Sequence, residues 1–368
     1  MSIVLDGTAN TVTPLNGALG GTTPSTVVAT NVNTPNTFGF KNRIINGDMR
    51  IDQRNNGSSV SLVATTQYVL DRWGDGGLTG STVSVQRVAD APASFKYSNK
   101  LTVTTTTTAN DWGIVYQSIE ASNVLDFKWG ESAGEAATLS FWVKANNAGI
   151  YNASIKYLGS SATYYYLSPY TLTANTWTYV TVSIPTAPTA AGAFTGADNA
   201  AYMVVSPVTI ASSGYSTTIA ANTWSSTQAY KTTGTFNLAS TASATVQITG
   251  VQLEKGSTAT SFDVRDYGRE LAMCQRYFQN FYPQQLPMTR FSASSGSGYA
   301  WVFHPEMRTA ATVTFGTYST GSGYPSSGTM LYGAGVTNGF RIYSSDNITA
   351  NTTIYFVATS NTTLSAEL

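Results

Sequence analysis

Charge is scarce in this sequence. Asp, Glu, Lys and Arg make up 10% of its 368 residues, against roughly 25% in soluble proteins generally. The charge that is present cancels, with 19 basic and 19 acidic residues. A chain without a basic field has little to attract phosphates or anionic lipid, which argues against nucleic-acid binding and against membrane attachment or insertion. Cysteine is almost absent: Cys274 stands alone, so no intrachain disulfide can form. No apolar run approaches the length that spans a bilayer. The opening Met1-Ser2-Ile3-Val4-Leu5-Asp6 lacks the basic and apolar regions of a signal peptide. These features read as a soluble protein that is not exported by the standard route.

The residue types that carry chemistry are equally thin. The sole histidine, His304, precedes Pro305 in a strand-like run and reads as a turn or packing residue. One His and one Cys make no zinc site without carboxylates, and no phosphate-binding glycine loop leads into a helix. A glycosidase needs two convergent carboxylates. Asp71 with Asp75, Glu120 with Asp126, and Glu131 with Glu135 are the candidate pairs. Solvated turn residues are the simpler reading of each. No catalytic residue, enzymatic activity or cofactor is expected.

In place of charge the chain carries Thr, Ser, Asn, Gly and Tyr. Hydrophobic residues still supply 42%, enough for a substantial core. Thr and Tyr favour pleated, half-buried surfaces, so the expected class is all-β. Residues 1–40 are nearly uncharged and punctuated by Gly20-Gly21, Pro14, Pro24 and Pro35, which suits an extended N-terminal arm ordered by partners. Residues 41–262 run strand after strand. In Thr138 to Ala145, Leu139, Phe141, Val143 and Ala145 share one face while Ser140, Trp142 and Lys144 share the other. Ile150 to Tyr157 and Trp177 to Ile184 alternate likewise, which predicts an antiparallel jelly-roll sandwich. One short helix is predicted within 263–282, with Asp263 or Asp266 as its cap and Tyr267, Leu271, Cys274, Phe278 and Phe281 on one face. Residues 283–368 read as a small C-terminal β-domain.

The aromatics are the most informative side chains. Trp142, Trp177 and Tyr179 fall on the less apolar strand face, and Tyr164, Tyr165 and Tyr166 crowd one segment near Tyr170. Such rings stack on sugars when exposed, and fill cores or subunit interfaces when covered. The six residues are the candidate glycan contacts.

Several segments carry a resemblance. Phe40 to Arg54 contains Asn42-Arg43-Ile44-Ile45-Asn46-Gly47-Asp48-Met49. Tyr68 to Trp73 ends in Asp71-Arg72-Trp73. They are followed by Leu139 to Lys144, Gly250 to Gly256, Phe262 to Arg265 and Glu270 to Phe278. In this order they resemble phage tail-fibre and head-fibre proteins, as do the leader Gly17 to Thr26 and the ending Ser365 to Leu368. The resemblance implies a virion structural protein on the phage particle surface, whose jelly roll is similar to carbohydrate-binding modules. It implies a homotrimer, docked to other tail or head proteins through residues 1–40 and binding host-surface glycan without turnover. It leaves two rivals open: a purely structural collar, adaptor or head-decoration protein, and a polysaccharide depolymerase. Many such modules hold a structural calcium with an acidic residue soon after the first strand. Met49 and Arg50 occupy that place, so no metal is expected, although Asp48, Asp52 and Glu254 supply oxygen atoms nearby. The Asp71-Arg72-Trp73 run suggests a local carboxylate–guanidinium pair, with Trp73 capping the core.

Overall fold

The computed structural model describes residues 41–63, 67–281, 305–314 and 362–368, and the backbone of strands lying between 286 and 358. The expected arm, residues 1–40, and His304 lie outside the described residues. Thirteen strands precede the helix: β1 (Val60–Val63), β2 (Gln67–Leu70), β3 (Trp73–Gly76), β4 (Thr82–Val88), β5 (Ser98–Thr105), β6 (Trp112–Glu120), β7 (Ala137–Ala145), β8 (Gly149–Leu158), β9 (Thr163–Leu172), β10 (Thr178–Ile184), β11 (Ala201–Ala211), β12 (Trp224–Ser225) and β13 (Thr245–Lys255). They form two antiparallel sheets, one ordered β1-β4-β5-β13-β7-β10 and the other β12-β9-β8-β11-β6-β3-β2. The chain is an all-β jelly-roll sandwich.

The period-two alternation decides what the sheets bury. Leu139, Phe141 and Val143 of β7 and Val180, Val182 and Ile184 of β10 face inward, meeting Tyr151, Ile155 and Tyr157 of β8 and Met203 and Val205 of β11. The opposite face of β7 and β10 carries Trp142 beside Tyr179 and Ser140 beside Thr181 in register. One polar pair crosses between the sheets inside the core: Asn99 of β5 points its Nδ2 at Asp75 Oδ1 of β3, 3.5 Å away, and both residues are buried.

Several of the segments that carry the resemblance, Asn42 to Met49, Asp71 to Trp73, Gly250 to Gly256, Phe262 to Arg265 and the helix bearing Glu270, converge on one junction. Asn46, in the left-handed region at φ 57°, donates from Nδ2 to the carbonyls of Ile51 and Asp71 and accepts from Ile51 N–H. Trp73 Nε1 donates to the Asn46 carbonyl at 2.9 Å. Gly47 lies so close to β13 that a Cβ would stand 2.2 Å from the Val251 carbonyl oxygen, so no larger residue fits there. Arg265 reaches back to the carbonyls of Asn42 and Ile44 and pairs with Glu270, which accepts from Asn46 N–H. The junction ties the first described loop, β13 and the helix into a single buried polar network.

Two expectations are corrected here. The helix α1 spans Tyr267–Gln275, and Phe278–Phe281 forms a strand, β14, instead of continuing it. Asp266 is the cap, accepting from Arg269 N–H, whereas Asp263 accepts from Asn42 N–H. Tertiary pairing overrides the helical spacing: β14 aligns antiparallel with the strand Thr362–Ser365, whose other edge pairs antiparallel with Thr312–Thr314. Tyr267, placed on the buried face by spacing, is exposed, while Cys274 and Glu270 are buried. The second correction concerns Arg72. Its partner is Glu367, which also pairs with Arg54 at 2.7 Å. Asp71 accepts instead from the backbone and side-chain N–H groups of Gln53. Trp73 is fully buried, as expected of a core cap. Among the described residues no helix is long and apolar enough to cross a membrane.

Candidate functional site

A cleft of about 1440 Å³ opens on the sheet that contains β7 and β10. Its floor is the outer strand face, where Trp142 and Tyr179 lie across neighbouring strands with ring centroids 5.3 Å apart at 47°. Ser140 and Thr181, the next pair along, add hydroxyls to it. The walls come from loops. Residues 48–56 follow the Asn46–Gly47 turn, residues 93–97 lead into β5, and residues 259–267 lead into α1. Phe95 and Phe262 meet edge to face at 5.1 Å and join the loops around β13.

Gly250 makes that join possible. It sits at φ 61°, where β13 shifts register against β7, and the Phe95 ring occupies the space its side chain would take, 2.6 Å from an ideal Cβ. Gly250→Ala is expected to cost about 1–2 kcal/mol in chemical denaturation, from the left-handed conformation and the displaced ring. Because Phe95 lines the cleft, the same variant is expected to weaken ligand binding.

Among the described residues four large hydrophobic side chains stand exposed, and three of them line this cleft: Tyr179 at 45%, Val264 at 75% and Tyr267 at 57%. Soluble proteins rarely gather exposed apolar groups in one concave place without a ligand or partner for them. The cleft's carboxylates are occupied by the protein itself. Asp48 pairs with Arg50 at 3.0 Å, and burial, partly offset by Arg50, raises its carboxyl above the usual range. Asp52, whose side chain is 1% exposed, accepts from the N–H groups of Asn55 and Gly57.

The six candidate residues separate. Trp142 and Tyr179 line the cleft. Trp177 lies beside it against Lys144, whose Nζ is 5.1 Å from the ring and 2.5 Å from Asp90. That hydrogen bond from Lys144 holds the Asp90 carboxyl below its ordinary range. Tyr164, Tyr165 and Tyr166 belong to β9, in the other sheet. Tyr164 packs against the core. Tyr166 is 2% exposed and donates its hydroxyl to the Ser183 carbonyl on edge strand β10 at 3.1 Å, so its ring is no platform for a sugar. Tyr165 turns to the opposite face, with Lys156 Nζ 6.0 Å from its ring. Asp48, Asp52 and Glu254 do not assemble into a metal-ligand cluster among the described residues. Glu254 accepts from Thr260 N–H and Oγ1 and from Gln252.

Phe95, Tyr97, Phe262, Val264 and Tyr267 were not legible as site residues. The first four sit in loops, where alternation carries no information about exposure, and Tyr267 opens α1, where helical spacing put it on the buried face. Gly250-Val251, interrupting an otherwise regular strand, was the available signal of a close approach.

No protein-family model and no curated protein sequence matches the chain. Solved structures share the sandwich at low similarity. The enzymatically active domain of tailspike protein 4 from bacteriophage CBA120 is 16% identical with a TM-score of 0.31, over 58% of this chain and 21% of that one. A carbohydrate-binding module of the β-sandwich superfamily, described for its promiscuous specificity, is 12% identical with a TM-score of 0.30, over 50% of this chain and 57% of that one. The family 11 carbohydrate-binding module from Clostridium thermocellum, in complex with a β-1,3-1,4-mixed-linked tetrasaccharide, is 11% identical with a TM-score of 0.29, over 55% of this chain and 98% of that one. The chain thus spans about a fifth of the tailspike chain and over half of the promiscuous module. Likeness at this level carries no information on function.

Proposed function

We propose that this chain is a phage virion fibre protein that binds host-surface glycan, without turnover, in the cleft floored by Trp142 and Tyr179. The observation that carries the reading is the gathering of three exposed apolar side chains, Tyr179, Val264 and Tyr267, around one hydroxyl-bearing groove. Flat rings with flanking Ser and Thr hydroxyls suit a sugar ring, which presents an apolar face and a polar rim. Attachment to tail or head proteins through residues 1–40, placement on the particle surface and a homotrimeric assembly belong to the same proposal and rest on the sequence motifs. Binding without turnover is favoured by the carboxylates: Asp52 is sealed by its own hydrogen bonds and Asp48 is held by Arg50.

The test is binding of the full chain to host polysaccharide, read by affinity electrophoresis. Trp142→Ala and Tyr179→Ala are each expected to weaken binding roughly tenfold, the value of one aromatic contact. Unchanged binding in both variants would remove the cleft from the reading. New reducing ends after incubation with polysaccharide would show turnover and favour a depolymerase.

A further inference from the structure

The charges along the cleft are unevenly satisfied. Three cations, Arg50, Arg87 and Lys96, line it with two carboxylates, Asp48 and Asp52. Arg50 pairs with Asp48 at 3.0 Å. Arg87 lies 3.8 Å from Asp52, donates from Nη1 to the Arg50 carbonyl at 2.8 Å and rests 4.5 Å from the Tyr97 ring centroid. Lys96 is exposed; its Nζ approaches the same ring at 5.2 Å, and among the described residues no carboxylate pairs with it. Tyr97 therefore has two cations against it, and one of them, Lys96, lines the cleft without a counter-charge among the described residues. In a chain whose net charge is zero, any attraction for an anion has to be local in this way.

The arrangement has two ends. The neutral rings of Trp142 and Tyr179 belong to β7 and β10, whereas Arg87, Lys96 and Tyr97 lie on β4 and just before β5, across β13. From β4 to β10 is four strand intervals, about 19 Å at the usual spacing. A ligand filling the cleft stacks on rings at one end and meets an unpaired ammonium at the other.

We infer that the ligand of this cleft is an acidic glycan, a sugar chain bearing carboxylate or phosphate groups, with an acid group held by Lys96 at the Tyr97 wall. This rests on the proposed reading of the cleft as a glycan site. A charge-assisted contact from ammonium to carboxylate or phosphate is stronger than a neutral hydrogen bond, and it weakens with salt when exposed.

The experiment measures binding of the full chain to three polymers, polygalacturonate, a phosphomannan and uncharged dextran, at low and high sodium chloride. Wild type is expected to bind one or both acidic polymers at least tenfold more tightly than dextran, with affinity falling as salt rises. Lys96→Ala is expected to lose about fivefold on the acidic polymer, and Lys96→Glu more, with melting temperatures unchanged because the side chain is exposed. Which acidic polymer responds separates the carboxylate source from the phosphate source. Equal binding of dextran, or indifference to both Lys96 variants while Trp142→Ala still weakens binding, overturns the acidic ligand and leaves the glycan cleft standing. Indifference to Trp142→Ala as well, or no binding of any polymer, overturns both.

Discussion

Glu367→Ala is expected to destabilise the sandwich by about 3–5 kcal/mol, the cost of leaving a buried cation without its partner. The Arg72 side chain is fully enclosed, with its guanidinium 3.5 Å from the Tyr277 ring centroid and Nη2 donating to the Ser118 carbonyl at 2.6 Å. Burial opposes its charge, yet Glu367 with the neighbouring tyrosines outweighs burial and raises the Arg72 pKa, so the guanidinium stays ionised. Glu367 also holds Arg54, which lies over the Phe278 ring at 3.7 Å. Removing the carboxylate leaves two guanidinium groups with no anion between them. Urea unfolding is expected to show a lower midpoint at an unchanged slope. The double variant Arg72→Met with Glu367→Gln is expected to recover much of the loss, since removing both charges is far cheaper than stranding one. A wild-type midpoint for Glu367→Ala would show that the pair is not coupled to the fold. The expectation makes residues 362–368 part of the sandwich's stability, although they lie far from its strands in sequence.

The second large effect is a fall of stability with rising pH above 3.8. Asp71 is buried, and desolvation, only partly offset by Arg54 and the Gln53 hydrogen bonds, raises its carboxyl from 3.8 to about 6. A group whose folded pKa is raised holds its proton more tightly in the native state, so its contribution is fully present below 3.8 and lost as pH climbs to about 6. At 1.36 kcal/mol per unit this amounts to about 3 kcal/mol. Asp75 adds to the same trend. Desolvation raises its carboxyl well above 3.8, and the Asn99 hydrogen bond opposes this only in part. Among the described residues, Asp75 Oδ2 and Asn99 Oδ1 both lack a hydrogen-bond partner. A proton on the carboxyl supplies the donor that these two acceptors need, giving a neutral acid–amide pair between the sheets. Asp75→Asn keeps the shape and supplies an N–H in that place. The variant is expected to be more stable than wild type at pH 8 by about 1–3 kcal/mol, the cost of an unsatisfied buried polar group, and less so at pH 4. Denaturant midpoints of both proteins from pH 4 to pH 8 check this. Parallel profiles would mean that Asp75 does not titrate with folding.

The strand pattern was legible because alternation is local. Leu139, Phe141 and Val143 share a face in any strand built from this sequence, and they are core. The same alternation put Trp142 and Tyr179 together on the less apolar side, where they floor the cleft. The crowding of aromatics that singled out Tyr164 and Tyr166 carried no such facing information, because a tyrosine serves equally well as a core residue when its hydroxyl finds a carbonyl, as Tyr166 does at Ser183. The three-or-four spacing overextended the helix: Phe278 and Phe281 fit it, but pairing with Thr362–Ser365 takes Phe278–Phe281 into a sheet.

The sequence by itself determined that this chain is β-rich, holds one histidine and one cysteine, and is provided with aromatic rings on half-polar strand faces. Each of those properties depends on composition or on neighbours two residues apart. The tertiary structure alone decided which polar face lies under loops and which borders a cleft. It alone gave Arg72 a partner 295 residues away, and it alone brought Arg87 over the Tyr97 ring and left Lys96 without a counter-charge among the described residues. Those outcomes depend on how distant loops close over the sheets, and no local period records the closure.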